Sequence, residues 1–300
     1  MNAAGTEIQQ RRTGFIFGIA AYGCWGFLPV YFKQIPDVPA VDVVAHRVIW
    51  SIPLLLALLA FTSKLGELAD SIRQKRLLGL LALTAVLIAV NWLLYIYAIT
   101  HGHILAGSLG YYLNPLMNVL LGRFVLKEHL SRVQWIAVAI AGAGIAALAI
   151  GALSQLWISL GLCISFATYG LLRKVAPVDS STGLTIETML LLPLAAGWLA
   201  FGSSSGRPVF GTSTHDTVLL LASGLVTATP LLLFTAAARK LRYSTLGMLQ
   251  FLAPTLQFLL AVGVYGEAFT SAHAIAFGAI WTALLLYVVG IRRQVANQPS

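Results

Sequence analysis

Two uncharged runs, from Thr13 to Phe32 and from Leu77 to Thr100, decide what this chain can become. At 1.5 Å of rise per residue, each is long enough as a helix to cross a hydrocarbon core about 30 Å thick. A water-soluble core has no use for such segments, and the rest of the chain resembles them. Of 300 residues 58% are apolar and 10% charged, where soluble domains carry roughly 25% charged residues. Mean hydropathy is +0.85. A window of about 20 residues gives spans at 14–32, 43–61, 77–99, 104–124, 132–150, 153–173, 184–202, 216–236, 243–265 and 271–290. The expected fold class is an all-α integral membrane protein with ten transmembrane helices. The longest polar stretches, from Thr62 to Arg76 and from Ser203 to His215, read as loops and are too short for a soluble catalytic module.

The net charge of +9 does not point to nucleic acid, because Lys and Arg sit in short clusters between spans and not on one face. They report topology instead. With the N-terminus in the cytoplasm, only Lys33, Arg47 and Arg207 of the 19 Lys and Arg fall outside. The positive-inside rule then predicts that both termini are cytoplasmic. Arg11 and Arg12 open like a signal peptide, but the apolar run after them exceeds the usual ~7–15 residues, so it reads as a retained first helix. Cys24 and Cys163 lie inside apolar segments and read as packing residues, with no disulfide framework or metal site expected.

The two halves repeat. A shift of 139 residues lays Pro115 on Pro254, Asn118 on Gln257, Glu128 on Glu267 and Ser131 on Thr270, and a shift of 140 lays Arg47 on Glu187. Each half has an odd number of spans, so the second must enter the membrane from the opposite side. Residues 1–151 and 152–300 are expected as inverted five-helix repeats, a plan common among secondary transporters, with the solute near the midplane where they meet.

Several motifs read as packing. Gly142-Ala143-Gly144-Ile145-Ala146-Ala147 fits a relaxed dinucleotide pattern but lacks the preceding strand that pattern needs. Gly14 and Gly18 allow close helix approach. His101-Gly102-His103 lacks the further ligands of a metal site. No nucleophile–base set, phosphate loop or carboxylate pair stands out, so neither an enzyme nor a cofactor is expected. Glu128 and Glu267 each precede a hydroxyl, Ser131 or Thr270, by three residues, and read as structural groups at the start of the next helix.

Polar residues at helical spacing inside spans carry more information. In the fourth span Ser108, Tyr111, Pro115 and Asn118 share a face, with Asn114 beside them. In the ninth, Gly247, Gln250, Pro254 and Gln257 take the repeat-equivalent positions. Amides facing lipid are costly, so these faces are expected to line a solute space or to join helices. Tyr22, Trp25, Asn91 and Tyr95 are candidates for the same lining. His46, Arg47 and Glu187 are ionisable groups within spans, and so candidates for gating or coupling.

At these residues the chain resembles the RarD permeases within the EamA-type drug/metabolite transporters. The matching stretches are Ala45 to Ser51, Asn91-Trp92 with Tyr95, Gly102-His103 with Ser108 to Leu116, Ile186-Glu187-Thr188 with Leu191-Leu192-Pro193, and Ser244 to Gly247 with Gln250 and Ala253-Pro254-Thr255. They span nearly the whole chain in order. One departure is Ala106-Gly107, where the family carries an acid before the Ser-Leu-Gly motif. The resemblance implies a ten-helix inner-membrane permease, and export as its direction. The function expected is a secondary transporter of small organic solutes working by alternating access. The alternatives are a polytopic enzyme acting on lipids and a passive channel.

Overall fold

The computed structural model describes residues 3–101, 103–149, 156–204, 210–266 and 271–296. Thirteen helices account for these segments: α1 Ala3–Gly26, α2 Leu28–Phe32, α3 Ala40–Phe61, α4 Leu65–Arg73, α5 Lys75–Thr100, α6 Ile104–Phe124, α7 Arg132–Ala149, α8 Leu156–Val175, α9 Ser180–Ser204, α10 Thr214–Lys240, α11 Tyr243–Gln250, α12 Leu252–Gly263 and α13 Ser271–Ala296. The ten expected spans fall on α1–α2, α3, α5 to α10, α11–α12 and α13. Among the described residues, eight segments are long and apolar enough to cross a membrane. Burial is reversed relative to a soluble protein: Leu194 and Leu285, in mid-helix, are 73% and 71% exposed, while Asn114, Asn118 and Gln134 are buried. The perimeter is made for lipid and polarity is turned inward.

Two spans are broken, and proline explains where. Pro29 lacks the N–H that would bond the carbonyl of Trp25, four residues back. The helix stops at Gly26, and α2 restarts around the proline. In an apolar medium the freed carbonyl needs another donor. Gln257 on α12 supplies it, its Nε2 donating to Trp25 O at 2.9 Å. Pro254 likewise follows the interruption at Phe251 between α11 and α12, whereas α6 runs unbroken through Pro115. The stretch read as a loop from Thr62 to Arg76 contains α4, which buries Leu68 and leaves Leu65 and Ile72 exposed. Nine residues with a single apolar stripe are too short to register in a span-sized window.

The connecting segments gather at two ends of the bundle. At the basic end Lys64 and Asp179 form an ion pair of 2.8 Å, Lys174 Nζ donates to Ala238 O at 2.7 Å and Arg239 donates to Val178 O. Partial burial raises the Asp179 carboxyl, but hydrogen bonds from Lys64 and Ser181, together with the Lys64 charge, outweigh it and hold the group down at about 2. The pair is therefore formed throughout the physiological range. At the opposite end Tyr31 Oη donates to Leu219 O at 2.8 Å, Trp198 Nε1 donates to Asp42 at 2.7 Å, and Lys33 Nζ lies 3.2 Å from the centroid of the Tyr265 ring.

Ser131 caps α7 as expected: its Oγ accepts from Gln134 N at 3.3 Å while Gln134 Oε1 accepts from Ser131 N at 2.8 Å, a reciprocal capping box. Glu128 acts elsewhere. Its carboxylate accepts from Tyr243 N at 2.6 Å, from Ser244 N at 3.0 Å and from the Ser244 hydroxyl. It thus caps α11, far along the chain, where the helix dipole favours an anion. Glu267 and Thr270 lie outside the described residues.

Packing between the halves comes in matched pairs. α1 packs on α10 and α8 on α5; α6 packs on α8 and α12 on α1; α3 packs on α10 and α9 on α5. Three further contacts join α7 with α13, α3 with α9 and α6 with α11, elements that a shift of about 139 residues lays on each other in the sequence. Replacing Glu128 by Ala removes the long-range cap and should lower stability by about 1–3 kcal/mol. Thermal unfolding of the purified protein checks this, and an unchanged midpoint would contradict the capping role.

Candidate functional site

Where α3, α5, α8, α9 and α10 converge they enclose a cavity lined by Arg47, Ser51, Trp92, Tyr169, Glu187 and Thr227 among mostly aliphatic neighbours. The space open to the centre of a water molecule is about 20 Å³, room for about one water. As it stands, the cavity is too small for an organic solute.

Each end of the cavity carries one charged group. On α3, Arg47 Nε donates to Thr227 Oγ1 at 2.6 Å. The Thr227 hydroxyl in turn donates to Ser223 O at 2.8 Å, which fixes its lone pairs toward the guanidinium. The guanidinium carbon lies 5.1 Å from the Trp92 ring centroid and 6.0 Å from that of Phe32. The Ser51 hydroxyl, one turn on, reaches Arg47 O at 2.6 Å and Gly224 O at 3.2 Å, tying α3 to α10.

On α9, Glu187 accepts from the Thr84 hydroxyl on α5 and from Tyr169 Oη at 3.4 Å on α8. It also pairs with Arg173 Nε at 3.4 Å, the two side chains being 2% and 1% exposed. Arg173 Nη2 donates to Ser180 O at 3.1 Å. Gly183 is required here, since a Cβ would collide with the Arg173 guanidinium.

Of the residues singled out from the sequence, the cavity brings together Arg47 and Glu187. Tyr95 and Tyr111 stand close to Arg47, with their rings edge-to-face at 5.3 Å. The Asn91 amide clamps α5 to α8, donating to Leu162 O at 2.9 Å and Ser165 Oγ at 3.1 Å. Tyr111 Oη reaches its oxygen at 3.5 Å. Tyr22 and Trp25 belong to an aromatic cluster with Phe166 and Phe234, and Tyr22 Oη donates to Leu246 O at 3.2 Å. Trp50 Nε1 donates to His46 Nδ1 at 3.2 Å, and Phe210 stacks on both rings.

The faces of α6 and α11, expected to line a solute space or to join helices, lie directly against each other here. Asn118 Nδ2 donates to Gln250 Oε1 at 2.8 Å, and a Cβ on Gly247 would stand 2.7 Å from Pro115 O. Gln257 serves the Trp25 carbonyl. Asn114 is buried beside them, with no hydrogen-bond partner for either side-chain polar atom among the described residues.

Sequence reasoning passed over Arg173, Thr84 and Thr227. Arg173 stands next to Lys174 at the end of a span and was counted with the topological charges. The signal that finds it is Glu187 itself, because a carboxylate inside a span requires a cation or several donors.

Comparison with known proteins agrees with this architecture. A crystal structure 20% identical to this chain superposes with a TM-score of 0.70, covering 92% of this chain and 97% of the other, a likeness of fold. The family model of the EamA-like transporter family matches residues 12–150. Protein RarD of Escherichia coli is 44% identical over 291 residues, 94% of this chain and 96% of that one. This chain belongs to the EamA-like transporter family. An uncharacterized transporter of Pseudomonas aeruginosa is 43% identical over 292 residues, 96% and 97% of the two chains. The protein is a multi-pass membrane transporter homologous to the RarD proteins, not an enzyme.

Removing one partner of the buried pair leaves the other charge stranded. Glu187→Ala should therefore cost about 3–5 kcal/mol, while Arg173→Met with Glu187→Leu restores most of the loss; chemical unfolding in detergent or bicelles distinguishes the two. Asn118→Ala and Gln250→Ala should each cost about 0.6–1.7 kcal/mol, and the double variant no more than the worse single one. Additive losses would show that the amides do not act on each other.

Proposed function

We propose that this transporter is a solute permease working by alternating access, in which two inverted five-helix halves, residues 1–151 and 152–300, rock about the cavity between α3, α5, α8, α9 and α10. Small organic solutes are its cargo and export across the inner membrane is its direction, with both termini in the cytoplasm. The observation that carries this reading is the cavity: residues of both halves line it, and its two charged groups, Arg47 and Glu187, occupy repeat-equivalent positions. The matched helix packing supports the repeat, as does a family model that covers the first half almost alone. Clustering of the basic segments at one end of the bundle supports the orientation.

Arg47 and Glu187 mark the two ends between which the solute is occluded. The ion pair with Arg173 ties α9 to α8 at one end, and the hydrogen bond to Thr227 ties α3 to α10 at the other. Opening toward either side loosens one of these ties while the other holds, as alternation requires.

In proteoliposomes a carrier gives saturable flux and is accelerated by unlabelled solute on the far side. The protein should show both with members of a small-organic-solute panel. Flux that never saturates would establish a channel, and absence of protein-dependent flux across the panel would reject the permease reading. Cysteine introduced at Asp37 should react with an impermeant reagent on intact cells and at Gln74 only after permeabilisation; the reverse would invert the orientation.

A further inference from the structure

We propose that the solute of this cavity is an organic monoanion with an apolar body, a carboxylate held by Arg47. The inference rests on reading the cavity as the solute site and names the chemistry of its cargo.

The argument is one of charge balance. Two of the groups lining the cavity are ionised. The Glu187 carboxylate is already engaged by Arg173, Thr84 and Tyr169, so the acidic end of the cavity is close to neutral. Arg47 has no such partner. Among the described residues no carboxylate lies within ion-pair distance of it. The acid on its own helix, Asp42, takes its hydrogen bond from Trp198. Its neighbours are the Thr227 hydroxyl, the Trp92 and Phe32 rings, and the phenols of Tyr111, Tyr31 and Tyr95. None of these carries a negative charge at neutral pH. The cavity therefore holds one uncompensated positive charge.

A guanidinium drawn partly out of water without a counter-ion is unfavourable, and among the described residues its one hydrogen bond is from Nε. Its fork geometry suits the two oxygens of a carboxylate. A bound monoanion neutralises the site; a cation meets repulsion, and a neutral solute leaves the charge unpaired. The remaining lining, with Leu55, Ile88 and Leu231 beside Trp92 and Tyr169, offers the solute apolar and aromatic surface and few hydrogen bonds. An anion without an apolar body has little to gain there.

Isothermal titration of the purified protein with phenylacetate, phenylacetamide, phenethylamine and acetate tests the inference. Phenylacetate should bind about tenfold or more tighter than phenylacetamide, the scale of one charge-assisted interaction, and tighter than phenethylamine or acetate. Arg47→Gln should abolish the preference for phenylacetate over its amide, and Arg47→Lys should keep part of it. Thr227→Asp, which supplies an internal carboxylate beside the guanidinium, should weaken phenylacetate at least as much as Arg47→Gln does. Equal binding of acid and amide, preference for the amine, a preference that survives Arg47→Gln, or no binding of phenylacetate would overturn the inference. The permease reading is judged separately: saturable counterflow of the amide or amine would leave it standing while this inference falls. Phenylacetate bound at Arg47 without counterflow of any probe would remove the permease reading instead.

Discussion

A polar group placed inside this bundle has only the protein to bond to, because the surrounding hydrocarbon offers no partner. That constraint explains the interior better than apolar packing does. A proline opens the first span and strands a carbonyl, so an amide from α12 comes to meet it. α11 begins inside the fold with free N–H groups, and a carboxylate from the other half covers them. Asn118 on α6 and Gln250 on α11 bond to each other, and the Arg173–Glu187 pair joins α8 to α9. The first three of these interactions link elements distant in sequence, the last joins consecutive helices, and together they help to fix which helices are neighbours.

Fold class was legible from the uncharged runs alone, since few structures other than a helix satisfy a backbone in lipid. The proposed repeat rests on Pro115 and Pro254 and on Arg47 and Glu187. The amphipathic α4 escaped because a span-sized window averages its single apolar stripe with the polar residues on either side. The candidate site was legible only in part. Asn118 and Gln250 correctly announced polarity turned inward, but an amide that lines a cavity and one that bonds a neighbouring helix leave the same mark in a sequence. Arg173 was hidden because a basic residue at the end of a span looks the same whether it reaches the interface or turns into the core. Glu128 was expected to serve the next helix; the chain's return to it after α10 is a tertiary fact with no local trace.

Under the proposed repeat Arg47 and Glu187 are counterparts, a shift of 140 residues laying one on the other, yet one is an acid surrounded by donors and a cation while the other is a cation among hydroxyls and rings. The difference comes from their neighbours. Glu187 finds Arg173 one helix away, and Arg47 is left with the hydroxyl of Thr227. A cavity bounded by two self-satisfied ends would have no charge preference, and this asymmetry supplies one.

The cap on α11 also sets an order of assembly. Glu128 precedes Tyr243 by 115 residues, so during synthesis the carboxylate reaches its end of the membrane well before the amides it will cover exist. The joint between α11 and the segment after α6 can form only once residues 243 and 244 have been made.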